Sequence, residues 1–205
     1  MVTAAPRLGA GWSALGTLYG NLGKSDKARK ALEQAFTLDP KPPLPQLALA
    51  RAHADLQDWK AADATAQALM ARDPKHTYVE AHFLDAIALY RSHDFDNALA
   101  RIHEAIQFDT LREVTRAEYV QGLILEAKGD YECAGRHLQA YVTQHPRAKD
   151  AAKARERLAN LGKEPLADLA SELTPQDMRV AAAGDARGGS KACSLLAVHL
   201  RSGMS

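Results

Sequence analysis

A short phrase recurs four times along this chain, and every copy ends in an alanine. The best preserved copy is Gly-Asp-Tyr-Glu-Cys-Ala at 129–134. The closing alanines are spaced 34, 36 and 36 residues apart: Ala28, Ala62, Ala98 and Ala134. Twelve residues before each alanine lies a small residue: Gly16, Ala50, Ala86 and Gly122. A fixed period of this length is typical of a repeat array built from stacked supersecondary units.

The spacing has a steric explanation. Each unit reads as two helices joined by a turn that contains the recurring phrase. Two antiparallel helices approach closely only where both carry small side chains, because the distance between their axes follows side-chain size. Twelve residues after three of the four alanines comes a proline, which cannot continue a helix and therefore ends the unit. The pattern predicts an all-α array of helix-turn-helix units.

The first unit resembles the tetratricopeptide repeat family most fully. The matching residues are Trp12, Leu15, Gly16, Tyr19, Ala28, Leu32, Ala35 and Pro40. The resemblance implies an all-α, right-handed α-solenoid of four such repeats followed by a C-terminal capping helix. It concerns fold far more than activity, because the function of a widely used fold lies in the surfaces grafted onto it.

The repeats divide the chain into three predicted parts. A lead-in covers 1–8, the array covers 9–162, and a tail covers 163–205. Within the array we predict repeats at 9–42, 43–76, 79–112 and 115–148, and a charged amphipathic capping helix at 148–161. In the tail we predict a short helix near 165–173 and then mostly disordered chain, because 181–190 is small, polar and without periodicity.

Composition argues against several classes of partner. The net charge is +1, so there is no bulk attraction for nucleic acid or for an anionic membrane. No apolar run is long enough to span a bilayer, and no secretory signal is seen, so we expect a cytoplasmic protein. The two cysteines, Cys133 and Cys193, suggest no disulfide framework.

One group of polar residues could support chemistry. His82 and Asp85 lie one turn apart on one predicted helix, and His53 lies on the preceding first helix, so the three could bind a metal or move a proton. The alternative is structural, since Asp85 occupies the position of Leu49 and needs a hydrogen-bond partner, such as a histidine or Gln121. No nucleophile motif, phosphate loop or metal motif is present. We therefore expect no enzymatic activity and no cofactor.

The resemblance to the family also implies a partner-binding groove, because in that architecture the first helices line a concave surface. The corresponding positions form an apolar and aromatic strip surrounded by arginines, a composition found at protein interfaces. We predict that a protein or peptide partner contacts Leu47, Arg51, Phe83, Ile87, Tyr90, Arg91, Arg116, Tyr119 and Leu123. The alternative is that some of these side chains pack internally.

Two functions remain open at this stage. The first is a non-enzymatic scaffold or adaptor that binds a peptide or helix in the groove. The second is a regulatory or substrate-docking module of a larger enzyme whose catalytic domain lies elsewhere. The clamp with which some family members hold the carboxylate of chaperones is absent, because the matching positions are Ser13, Thr17, Ala48, Glu80 and Leu84. The sequence does not determine the oligomeric state.

Overall fold

The computed structural model describes residues 8–110 and 114–162. These residues form nine helices connected by turns: α1 (Gly9–Asn21), α2 (Ser25–Leu38), α3 (Pro43–Asp55), α4 (Trp59–Met70), α5 (Val79–Arg91), α6 (Phe95–Phe108), α7 (Ala117–Ala127), α8 (Tyr131–Gln144) and α9 (Ala151–Asn160). The helix predicted near 165–173 and the disorder predicted after it lie outside the described residues.

The helices pack in chain order. The pairs α1–α2, α3–α4, α5–α6 and α7–α8 form the four helix-turn-helix units, and α2–α3, α4–α5 and α6–α7 join successive units. The first helices also contact one another along the array, and α9 packs on α8. The helix α9 begins at Ala151 rather than at residue 148. The predicted fold class is confirmed: the described chain is an all-α solenoid.

The alanine at the start of each second helix is buried at the crossing within its unit. Where the second helix carries a leucine at this crossing, the first helix carries glycine. A Cβ atom added at Gly16 would lie 2.5 Å from Cγ of Leu32, and one added at Gly122 would lie 2.8 Å from Cγ of Leu138. In the middle units the corresponding pairs are Ala50 with Ala66 and Ala86 with Ile102. Glycine is therefore confined to the two units in which a leucine lies opposite.

The turn inside each unit uses one residue with positive φ at the same position. The four are Gly23 (69°), Gln57 (59°), His93 (62°) and Gly129 (79°). This left-handed conformation is easy for glycine and strained for a residue with a Cβ atom. The turn geometry is therefore shared by all four units, and two of them adopt it without glycine.

The residue that follows the turn caps the second helix in three of the four units. The side chains of Asp58, Asp94 and Asp130 accept a hydrogen bond from the backbone N–H three residues later. In the first unit the cap position is Lys24, which makes no such bond. The second helix of the first unit therefore lacks a stabilising contact that the others have.

The buried apolar residues form two clusters of unequal size. The larger runs from α3 to α9, and the smaller joins α2 and α3 through Ala28, Leu32, Leu49 and Ala52. Most of the exposed large apolar residues belong to the first unit or to the start of α3: Leu8, Leu18, Leu22, Phe36, Leu38 and Leu44. The N-terminal end of the array is therefore its least buried part.

The two residues that meet at the helix crossing are matched in size, so substitutions at Gly122 and Leu138 should have coupled effects on stability. Gly122→Ala places a methyl group against Leu138, and we expect this overpacking to outweigh the gain of about 1 kcal/mol in helix propensity. Leu138→Ile recreates the alanine–isoleucine pair of the third unit. The two substitutions should therefore couple favourably by roughly 0.5–2 kcal/mol in a double-mutant cycle measured by urea unfolding.

The control for this cycle is Ala98→Leu combined with Leu138→Ile, since these two positions belong to different units and should be additive. Additive free energies for the Gly122 and Leu138 pair would contradict the size-matching explanation.

The missing cap at Lys24 predicts a stabilising substitution. Lys24→Asp supplies the side-chain acceptor found in the other three units, and we expect it to raise the free energy of unfolding by roughly 0.5–2 kcal/mol. Lys24→Ala is the matched control, because it removes the positive charge without adding an acceptor. Equal stability of the two variants in urea unfolding would refute the capping explanation.

Candidate partner-binding site

The predicted apolar strip lies inside the array. Its members Leu47, Phe83, Ile87, Tyr90, Tyr119 and Leu123 each expose no more than 6% of their surface. All six belong to the larger core cluster, and the Tyr119 ring lies 5.2 Å from the Tyr141 ring, centroid to centroid. Internal packing therefore describes these side chains in this structure, and their contact with a partner stays a prediction.

The three predicted arginines are also engaged within the chain. Arg51 forms a bidentate ion pair with Glu80, the strongest geometry for this type of contact. Arg91 lies 4.8 Å from the centroid of the Trp59 ring. Arg116 pairs with Asp150 and lies 5.6 Å from the centroid of the Tyr119 ring. Of the three, only Arg51 is exposed, with 45% of its side chain accessible.

Exposure along the concave face changes from one end of the array to the other. Residues 17, 51, 87 and 123 occupy the same position in successive first helices. Thr17 and Arg51 are exposed, whereas Ile87 and Leu123 are fully buried. The part of this face that is open to solvent therefore belongs to the first two units.

A cavity of about 250 Å³ lies at this open end. It is formed by one face of α1, the start of α2 and one face of α3, and its lining combines small residues with polar ones: Gly16, Thr17, Gly20, Asn21, Ala28, Leu32, Ala48, Arg51, Ala52 and Asp55. The small residues exist because the helices cross closely here. The predicted partner contacts include Arg51, but the cavity itself has no signature in the sequence.

Asp85 is fully buried between units, where its carboxylate contacts two polar side chains. Its carboxylate lies 2.8 Å from Nε of Arg101 and 3.5 Å from Nε2 of Gln67, rather than meeting the expected histidine or Gln121. Burial raises the pKa of Asp85 to about 7, the nearby Asp63 adds to this rise, and Arg101 opposes it. The carboxylate is therefore held in an environment that favours its protonated form.

The two histidines named with Asp85 have structural contacts of their own. His82 Nδ1 lies 3.0 Å from Glu104 and Nε2 lies 3.2 Å from Nδ1 of His76. Burial lowers the pKa of His82, and the contact with Glu104 acts in the opposite direction. His53 Nδ1 lies 3.8 Å from the carboxylate of Asp58 in the adjacent turn. Each of His53, His82 and Asp85 is therefore paired with different residues in this structure.

The fourth unit repeats the arrangement with different residues. Gln121 occupies the position of Asp85, and its side-chain amide contacts His103, which occupies the position of Gln67. Glu118, the equivalent of His82, accepts a hydrogen bond from Nδ1 of His137 at 2.6 Å. Polar pairs therefore bridge successive helices in the third and fourth units, and the pairs Gln67–Asp85 and His103–Gln121 occupy the same two positions.

Neither a metal site nor a membrane span is found in the described part of the chain. Within residues 8–110 and 114–162, no three His, Cys, Asp or Glu side chains are placed to hold a metal ion together. No helix in these ranges has both the length and the apolar character needed to cross a bilayer.

These features define a class of protein: a helical-repeat array whose first helices are exposed at one end and buried towards the other. Family models described as tetratricopeptide repeat match residues 22–82 and 83–149. The chain belongs to the tetratricopeptide repeat family. Repeats of this family are typically non-catalytic interaction modules, and membership supports a protein-interaction role for this chain.

Solved structures show the same fold at low identity. A MamA protein is 19% identical with a TM-score of 0.61, and the match covers 81% of this chain and 83% of that protein. A tetratricopeptide repeat protein from Parabacteroides merdae is 18% identical with a TM-score of 0.65, over 78% and 60%. A thermophilic protein from Thermus thermophilus is 22% identical with a TM-score of 0.58, over 75% and 80%. A search of curated proteins gives no match.

The environment of Asp85 predicts a pH dependence of stability. The folded pKa of Asp85, about 7, lies above its ordinary value of 3.8. The protonated side chain therefore contributes its full stabilisation below pH 3.8, and this contribution is lost as the pH rises from there towards 7. Asp85→Asn removes this titration. The stability of the variant relative to the wild type should therefore increase by about 2 kcal/mol between pH 5 and pH 8 in urea unfolding.

Asp130→Asn is the control, because asparagine also caps a helix and the residue is exposed. If the difference between Asp85→Asn and the wild type is constant from pH 5 to pH 8, the carboxylate is not held protonated.

Proposed function

We propose that this chain is a non-enzymatic scaffold that holds a peptide segment or helix of a partner protein on its concave face. The observation that carries the proposal is the cavity between α1, α2 and α3, which lies on the open half of that face. It adjoins the predicted strip through Arg51, which lines the cavity, and Leu47, which lies one turn earlier on α3. Family membership supports the same class of function.

The cavity fits a short apolar side chain of a partner. Its walls at Gly20, Ala28 and Ala52 carry small side chains or none, which leaves space for such a group. Burial of an apolar anchor contributes about 0.8 kcal/mol for each CH₂ group. The anchor therefore provides most of the affinity that this end of the face supplies.

Charged residues at the same cavity set the orientation of the partner. Arg51 and Asp55 lie one turn apart on α3, so the edge presents both signs of charge. Exposed ion pairs contribute under about 1 kcal/mol each, and their main effect is on association rate and register. A partner segment with an apolar anchor flanked by polar or charged groups matches this pattern.

The predicted strip forms the second part of the proposed site. Its side chains are buried, so they contact a partner only in a conformation that exposes them. Binding then proceeds from the open end, at Thr17 and Arg51, towards Phe83, Tyr90 and Tyr119. This order makes the cavity the part of the site that can be tested first.

A bulky residue at the cavity should block binding. In a lysate of the source organism, a photo-crosslinking amino acid at Ala48 should capture a partner, and Thr17→Trp should lower the yield about tenfold, which corresponds to about 1.4 kcal/mol. Thr143→Trp is a matched control, because Thr143 is likewise an exposed helical threonine whose hydroxyl donates to the carbonyl four residues earlier.

The control should leave the capture at Ala48 unchanged, and both variants should keep the wild-type far-UV spectrum. A crosslinked partner whose yield is the same in Thr17→Trp and in the wild type would place the binding site elsewhere.

A further inference from the structure

The outer face of α1 carries a row of apolar residues with no described element packed over it. Leu8, Leu18 and Leu22 expose 55%, 54% and 58% of their surfaces. These are among the most exposed large apolar residues of the described chain, and all three lie on one helix or at its caps. Contiguous apolar surface of this kind marks an interaction site more often than scattered single residues do.

The row has the spacing of a helix-packing seam. Leu8, Gly11, Leu15, Leu18 and Leu22 follow one another at intervals of three, four, three and four residues. This alternation is the a/d pattern by which two helices interlock side by side. At 1.5 Å per residue the seam is about 20 Å long, which is the full length of α1.

In the later units the equivalent face of the first helix is covered by another helix. The equivalents of Leu18 are Ala52, Ala88 and Ile124, and all three are buried. Ala52 packs in one cluster with Ala28 and Leu32 of α2, the second helix of the preceding unit. The outer face of every later first helix therefore packs on the second helix of the preceding unit, and α1 has the same face with Leu18 at this position.

The charge distribution identifies the occupant. The helix α1 contains no charged residue between Gly9 and Asn21, so it can face an identical helix without like-charge repulsion. The other end of the array is unsuitable, because the exposed side of α9 carries Lys153, Arg155 and Glu156. Stacking α1 on α9 of another molecule would remove these charges from water, whereas pairing α1 with α1 removes only apolar surface from water.

We propose that two copies of this chain associate through an antiparallel, two-fold pairing of α1 with α1. In this arrangement Leu18 of each copy meets Leu15 of the other, and Leu22 lies over Gly11, where the missing side chain leaves room for it. Such an interface is isologous, as in most homodimers. Thr17 is not on the seam, so the dimer leaves the concave cavity accessible.

The interface is small, and this sets the affinity. A single pair of helices buries less area than the roughly 1,200–2,000 Å² of a stable complex, so we expect a weak association, of micromolar affinity or weaker. The dimer therefore forms and separates over a concentration range that sedimentation can cover.

Analytical ultracentrifugation of the full chain tests the proposal. Between about 1 and 300 µM, the weight-average mass of the wild type should rise from that of the 22.2 kDa chain towards twice this value. Leu18→Glu should remain monomeric throughout, because two charges would be buried at the seam. Leu44→Glu is the matched control, since Leu44 is 65% exposed on α3 and lies off the seam, and it should dimerise like the wild type.

Three outcomes would overturn the proposal: a wild type that is monomeric at the highest concentration, a dimer that survives Leu18→Glu, or a dimer that Leu44→Glu abolishes equally. Far-UV circular dichroism establishes that each variant is folded. If Leu18→Glu disturbs α1, Leu22→Glu at the C-cap of α1 provides the same test, because it adds a charge to the seam just beyond the helix.

Discussion

The close crossing of the two helices in each unit is the constraint on which the rest of the structure depends. It fixes the small residue and the alanine at a separation of twelve residues, and it repeats four times along the chain. The crossing tolerates either glycine opposite leucine or alanine opposite a smaller or β-branched residue. Because interaxial distance follows the combined size of the pair, a leucine on the second helix is accommodated at this close crossing by a glycine on the first.

The fold could be predicted from the sequence because its strongest steric requirement occurs four times. The conformation of the turns was harder to predict from the individual residues. Gln57 and His93 adopt positive φ, although neither residue type indicates that conformation by itself. Only their alignment with Gly23 and Gly129 reveals it. Repetition thus makes a local geometry visible at positions where the individual residue is uninformative.

The site was less predictable, for a physical reason. Periodicity assigns Thr17, Arg51, Ile87 and Leu123 to one face, but it carries no information on what covers that face. Two of these residues are exposed and two are buried. The partners of Asp85 were equally hidden, because Gln67 and Arg101 lie on second helices whose facing residues depend on how the units stack. The position of a residue within a repeat predicts which face of the helix its side chain lies on. Whether that side chain is exposed depends on what packs against the face.

Stability along a repeat array is a sum of the units and their interfaces, so an end with little buried apolar surface opens first. Here that end is the first unit: it has the smaller apolar cluster, an α2 without a side-chain cap and an outer helix face that no described element covers. The proposed pairing of α1 would act on this end, because association stabilises the folded state by mass action. The cavity shares α1 and α2 with this end of the array. Association through α1 therefore stabilises the unit that forms half of the proposed binding site.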